Sequence, residues 1–148
     1  MATPSKRHVN WTATTWTQTA PSAVTSTITG VLSVQVNRNL QSIQHSGDAD
    51  FYPTLVATVG GQPSLSISHR DLGVSNAIPD TSRGTLSAKH SDAKNGITAS
   101  SGGYTVQLVG VVSSNDSEGA HRQFGGGTIT VIGESTDGTT SPLSFTSL

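Results

Sequence analysis

Val24-Thr25-Ser26-Thr27-Ile28-Thr29-Gly30-Val31-Leu32-Ser33-Val34-Gln35-Val36 is the stretch that decides the fold class. Val24, Ile28, Leu32, Val34 and Val36 are apolar, and Thr25, Thr27, Thr29, Ser33 and Gln35 stand between them. A period of two puts one set on each side of an extended chain, which predicts a half-buried β-strand rather than a helix. Gly30 predicts a kink or bulge within it. The same alternation returns at Phe51, Leu55, Ala57 and Val59. Past the turn chemistry of Gly60-Gly61-Gln62-Pro63 it continues at Leu65, Ile67 and His69, so 51–70 reads as a hairpin. Further strands fall near 83–90, 104–113 and 128–135, separated by Asn95-Gly96, by Ser101-Gly102-Gly103, by a loop at 114–123 and by Gly125-Gly126-Gly127. One helix is predicted, over 71–78, capped by Asp71 and stopped before Pro79.

The remaining segments complete an organisation into one domain with extensions. Residues 1–20 carry threonines at 12, 14, 15, 17 and 19 around Trp11 and Trp16, between Pro4 and Pro21, and read as an N-terminal arm. Residues 37–50 are polar and rich in Asn and Gly, a long loop or extended hairpin between two strands. The expectation is an all-β, mainly antiparallel β-sandwich or barrel over 21–139, with one short flanking α-helix and extended terminal arms at 1–20 and 140–148.

Composition agrees with that class. The chain has 148 residues, the size of a single domain. Hydrophobic residues make up 32% and charged residues 11%, and Ser and Thr fill much of the difference, about 43 residues. Disorder throughout is a poor fit, because it calls for high net charge as well as low hydrophobicity and the formal charge is −1. A thin core suits sheets. The eight Lys and Arg residues are scattered between Lys6 and Arg122, which argues against tight, salt-dependent nucleic-acid binding. There is no cysteine, hence no disulfide framework and no thiolate metal site. The first residues lack an apolar h-region and no run approaches a membrane span, so the expectation is a soluble chain made in the cytoplasm. The sequons at Asn10 and Asn115 matter only in a secreted eukaryotic chain and are read as chance.

Candidate chemistry is sparse. His45, Asp48 and Asp50 share one loop and carry metal-binding atoms, but no bidentate Glu follows at calcium-loop distance, so a solvated or inter-subunit loop is expected. In His69-Arg70-Asp71 the role expected of Asp71 is the helix cap. His8, His90 and His121 are isolated, which leaves zinc without a ligand set. No Gly-x-Ser-x-Gly elbow is present, and Gly125-Gly126-Gly127 lacks the Lys-Ser/Thr of a phosphate loop. Trp11 and Trp16 have rings able to stack on sugars, although anchoring an arm against its own or a neighbouring domain is the expected role.

Ser46-Gly47-Asp48-Ala49-Asp50-Phe51-Tyr52-Pro53-Thr54, followed by Ser66-Ile67-Ser68-His69-Arg70-Asp71-Leu72, resembles a region of the tail tube proteins of tailed bacteriophages. There a Gly-Asp-x-Asp-x-Tyr-Pro stretch precedes a hairpin whose second strand ends at an acidic-hydrophobic helix start. His121, Phe124, the strand Ile129–Ile132, Ser135-Thr136-Asp137-Gly138-Thr139 and Pro142-Leu143 look like that family's final strands and closing turn, so the resemblance spans roughly 24–145. Ala49 departs from the glycine often found between the two aspartates, which puts the loop's turn geometry in question. The resemblance implies hexameric rings stacked into a hollow tube that carries viral DNA out of the capsid without binding it specifically, and no catalysis, cofactor or metal.

On that basis the contacts between rings fall to 37–50 and to the arms, with Trp11, Trp16, His45, Asp48, Asp50 and Tyr52 as the assembly residues. Implied partners are further copies of the chain, the tape measure, terminator and baseplate or tip proteins of the tail, and DNA in the lumen, with no membrane. The place implied is the virion. Two other classes stay open: an immunoglobulin-like binding module, such as a capsid decoration or carbohydrate-binding domain, and a hydrolase with an unrecognised site. Long stacked tubes in micrographs support the first reading, and discrete particles with glycan affinity the second.

Overall fold

The computed structural model describes residues 8–49, 51–94, 97–98 and 104–147. Among them the chain runs through β1 (His8–Ala20), β2 (Val24–Ile28), β3 (Val31–Asn37), β4 (Leu40–His45), β5 (Leu55–Gly61) and β6 (Ser64–His69). It continues with helix α1 (Leu72–Ser75), then β7 (Arg83–Lys94), β8 (Ile97–Thr98), β9 (Tyr104–Glu118), β10 (Gly126–Gly133) and β11 (Leu143–Ser147). The described ladders are all antiparallel. The main sheet follows the order β2-β1-β7-β9-β10-β6-β3, while β4 and β5 form a separate two-stranded ribbon. The all-β class with one short helix is therefore observed.

Consecutive strands β2 and β3 sit at the two ends of that path. Laid flat, seven strands at about 4.8 Å spacing would hold their ends about 29 Å apart. Thr29 and Gly30 alone join them, and three Cα steps reach no further than about 11 Å. The sheet therefore curls so that the end of β2 and the start of β3 meet at one corner, as in a sandwich whose layers share strands, although among the described residues no ladder joins the two. Gly30 makes the corner with a φ of 62°, a left-handed conformation that a side chain would strain. The kink anticipated at Gly30 is thus the point where the chain passes between layers.

Inward positions line up across strands. Trp16 of β1 lies opposite Leu86 of β7, which lies opposite Leu108 of β9, itself opposite Leu143 of β11. On the other layer, Val34, Ile67 and Ile129 form one row and Val36, Leu65 and Val131 the next. Trp16, Leu65, Ile67, Leu86, Leu108, Ile129 and Val131 are fully buried. A glycine row, Gly84, Gly110 and Gly133, lies beside Gln18. A Cβ on Gly84 would run into the Thr17 carbonyl and one on Gly110 into the Ile132 carbonyl, so the backbones approach too closely for any side chain.

Strand β9 carries β10 and β11 in tandem along one edge: Gly110 pairs with Gly133, and Leu108 with Leu143. Between them the chain leaves as a loop over 134–142, sealed where Glu134 N donates to Val109 O (2.9 Å) and Val109 N donates to Pro142 O (3.1 Å). Asp137 holds this loop by accepting from Thr139 N (2.8 Å), Thr140 N (2.7 Å), Thr140 Oγ1 (2.7 Å) and Ser135 Oγ (3.0 Å). Those donors keep its carboxyl far below the usual carboxylate range, the Thr140 amide most of all.

Four expectations are corrected. Residues 8–20 are no arm: β1 lies inside the sheet between β2 and β7, and Trp16 belongs to the core, with its indole N–H donating to Gln18 Oε1. Residues 143–147 are likewise a strand rather than an arm, zipped to the start of β9. Strands β5 and β6 do not pair with each other, so 51–70 is not a hairpin; β5 pairs with β4, and β6 with β3 and β10. The loop assigned to 114–123 begins only after Glu118, because β9 extends to meet β10. In each case a long-range ladder supplied the partner, which local turn chemistry does not disclose.

Candidate assembly surface

The feature that separates this molecule from a closed sandwich is the β4–β5 ribbon, and its construction begins in the core. Strands β3 and β6 pair as far as Asn37 and Ser64. Pro63 has no N–H to continue the ladder, Asn39 adopts a left-handed φ of 48°, and the ribbon kinks. The kink is pinned by Asn39 Nδ2 donating to Gln62 O (2.8 Å) and by Asn39 N donating to Asn37 Oδ1 (3.3 Å). Pairing resumes at Leu40 opposite Gly61 and runs to His45 opposite Leu55. His45 O closes the far end by accepting from Thr54 N (2.8 Å) and Thr54 Oγ1 (3.3 Å). The described part of that segment, 37–49, is thus half of an extended hairpin, the second of the two forms expected for it.

Among the described side chains of β4, of the tip and of β5, each is exposed. All six residues of β4 are exposed. Residues opposite each other in an antiparallel pair share a face, so Ile43 and Ala57 lie beside His45 and Leu55 on one side, with Ser42, Gln44, Val56 and Thr58 on the other. Ile43 is 58% and Leu55 62% accessible. At the tip Phe51 and Tyr52 pack edge to face, 5.0 Å between centroids, and Phe51 is 91% accessible. Covering one aliphatic side chain of this kind is worth roughly 1.5–3 kcal/mol, and the fold forgoes that gain at each.

Open edges add to the surface. Among the described residues β2 pairs only with β1, β3 only with β6 and β11 only with β9, which leaves an unpaired backbone row on each. Neither β2 nor β3 carries a charge or a proline, the usual protections of an exposed edge. Around β10, β6 and β3 the outward positions Thr130, Ser66 and Gln35 form a hydroxyl and amide row, with Ser66 Oγ and Thr130 Oγ1 3.0 Å apart. These three strands and the hairpin ladder contain no Asp, Glu, Lys or Arg.

The predicted contact residues separate. His45, Asp48 and Tyr52 lie on the exposed hairpin, and Asp50 lies outside the described residues. Trp16 is in the core, where a neighbouring copy has no access. Trp11 is half-buried, stacked on His90 at 4.3 Å and edge-on to Tyr104 at 6.0 Å, with Phe145 next to Tyr104 at 6.1 Å. Sequence reading missed Ile43, Leu55 and Leu40 as surface apolar residues, because alternation does not say whether the apolar face is covered.

At the opposite end of β3 and β6, a groove of about 590 Å³ is lined by Leu32, Arg70, Asp116, Glu118 and Phe124 among others. The segment His69-Arg70-Asp71 lies beneath it. Asp71 caps α1, as expected, by accepting from Val74 N (3.4 Å), and its other oxygen accepts from Thr29 N (3.1 Å) and Thr29 Oγ1 (2.9 Å). These donors, Thr29 foremost, lower the Asp71 pKa. Among the described residues no three His, Asp or Glu side chains gather as a metal site, and no helix is long and apolar enough to cross a membrane. Comparison with family models and with curated proteins finds no match to this chain.

Proposed function

We propose that this chain is a structural subunit that assembles with copies of itself into stacked rings, as the tail tube of a bacteriophage, with no catalytic role. The observation that carries the reading is the β4–β5 hairpin, which leaves its own core and presents Ile43, Leu55, Phe51 and Tyr52 uncovered. A monomer gains nothing from such a hairpin, whereas a neighbour that covers it recovers the burial free energy. The uncharged open edges of β2 and β3 support lateral joining in the same way. The charge-free face of β10, β6 and β3 suits a conduit wall, because a basic wall would hold the DNA it should release. Hexameric rings, the other tail proteins as partners and residence in the virion follow from the resemblance to tail tube proteins.

The competing reading, a carbohydrate-binding or decoration module, leans on the two tryptophans. Trp16 is buried and one face of Trp11 rests on His90, which leaves at most one face of one tryptophan for a sugar. Negative-stain microscopy of the purified full chain tests the assembly reading. Tubes of stacked rings are expected, and they should shorten or vanish in an Ile43→Ser, Leu55→Ser variant that melts like the parent. Discrete monomers under all concentrations and salts would overturn it.

A further inference from the structure

His69 ends strand β6 on the inward face, in line with Leu65 and Ile67, and is fully buried. Its Nδ1 accepts a hydrogen bond from the Asp71 backbone N–H at 3.1 Å, so the ring proton sits on Nε2. Nε2 is itself buried and has no hydrogen-bond partner among the described residues. The imidazole is thus held neutral by geometry: the site needs an acceptor at Nδ1 and offers nothing to a second N–H. Burial accordingly lowers its pKa below the ordinary histidine value, with the Asp71 carboxylate opposing in part.

Three parts of the molecule hang on this tripeptide. Asp71 binds Thr29 through its carboxylate, and Arg70 N donates to Gly30 O at 3.1 Å, which together fix the corner where the two ends of the rolled sheet meet. Arg70 Nη1 donates to Phe124 O at 3.0 Å and holds the end of the loop that follows β9. Asp71 also caps α1. Around His69, β3 lies opposite it with Val31 and β10 with Gly127, beside which Leu72 of α1 also packs, and none of these three elements carries a charged side chain. The charged groups near the clasp are Asp71, Arg70, and Asp116 and Glu118 of β9, which line the groove above it.

We propose that His69 makes this clasp acid-labile, so that taking up one proton releases the corner at Thr29 and Gly30 together with the Phe124 loop while the rest of the sandwich stays folded. Protonation turns Nδ1 into a donor facing the Asp71 N–H, also a donor, and places a charge in a buried site where no acceptor faces Nε2 among the described residues. Either the ring leaves, or the Asp71 carboxylate swings to meet it; both detach Asp71 from Thr29. The sign follows from linkage. A histidine whose folded pKa lies below its unfolded value contributes stability at neutral pH, and this is lost as pH falls from about 6.5 through the folded pKa. The proposal stands independently of the assembly reading.

Amide hydrogen exchange on the full chain at pH 7, 6 and 5, corrected to protection factors, provides the test. Protection at the Thr29 and Arg70 amides should fall by up to roughly tenfold per pH unit as the pH drops from about 6.5 toward the folded pKa and level off below it, while Val106 and Leu108 keep theirs. In His69→Gln, whose amide oxygen can accept from Asp71 N–H and does not titrate, the pH dependence at Thr29 and Arg70 should disappear. Should that variant fail to fold, the ring-nitrogen titration of His69 in the parent decides, with an Nε2–H tautomer and a midpoint below 6.5 expected. A midpoint at or above 6.5, an unchanged pH dependence in His69→Gln, or equal acid loss at core amides would overturn the proposal.

Discussion

The two halves of one ribbon, β3 with β6 and β4 with β5, have similar chemistry and opposite fates. Both alternate apolar and polar side chains, both are paired antiparallel, and only a kink at Asn39 and Pro63 separates them. Yet Ile67 is fully buried and Ile43 is 58% accessible. The inner half has β10 beside it and the opposing layer of the sandwich above it; the outer half has neither. Alternation therefore states that a strand has two unlike faces, and says nothing of which molecule covers the apolar one.

The comparison is broken most severely by removing a strand from each side of it. Deletion of residues 1–20 takes away β1, the shared partner of β2 and β7, and the Trp16 anchor. The product should lose its cooperative thermal transition and near-ultraviolet dichroism, since the loss exceeds a typical stability of about 5–15 kcal/mol. Replacing 40–61 by an Asn-Gly turn should instead leave a cooperative melt, because β3 and β6 remain paired and buried without the hairpin. If both deletions unfold, the hairpin belongs to the core after all.

A gentler contrast uses aromatic truncation. Trp16→Ala should lower the stability measured by denaturant titration by about 3–5 kcal/mol. Phe51→Ala at the tip should change it by no more than about 0.5 kcal/mol. Next in size comes the corner: Asp71→Ala removes a helix cap and both bonds to Thr29, and should cost about 1–2 kcal/mol at pH 7. Because the folded pKa of Asp71 is depressed, whatever its carboxylate still contributes once the His69 clasp has opened is present above about pH 3.8 and lost as pH falls through the lower folded value. The stability gap between parent and variant should close in that acid window, as read from melts at pH 5 and below. Smallest of all, Asp48→Asn should move stability by less than about 0.5 kcal/mol, and its effect should appear in the salt dependence of tube formation.

Much of the sheet was legible because its inward residues are strongly apolar. Leu65 with Ile67, Val106 with Leu108, and Ile129 with Val131 announce strands without help from their partners. The start of the helix was legible from Asp71, a local cap, whereas the helix ends at Ser75, short of the 78 that Pro79 predicts. Strand β1 was not, because its inward set is Thr14, Trp16 and Gln18, and two polar residues of three break the apolar rhythm. Its run of threonines was the signal available, since β-branched residues favour extended chain wherever a neighbouring strand receives them. The turn chemistry at Gly60 and Pro63 predicts a reversal where the chain only kinks, because these residues serve either, and the ladder with β4 distinguishes the two. For the candidate site, exposure of the loop was foreseen and the uncovered Ile43 and Leu55 were not.

The loop at 134–142 has a consequence for anyone wishing to add to this protein. It leaves the edge of β9 at Val109 and returns to the same residue, so its two feet are held by hydrogen bonds that do not depend on what lies between them. Such an Ω-shaped excursion tolerates length, with each doubling adding only about 0.6 kcal/mol of closure entropy. A peptide tag inserted between Gly138 and Thr139, beyond the Ser135–Asp137 half of the brace, should be displayed outward and leave the strands in register. Retention of the parent's melting temperature within a few degrees, together with antibody access to the tag, would qualify the site as a display handle, and a collapsed melt would show that Asp137 needs Thr139 and Thr140 at their native spacing.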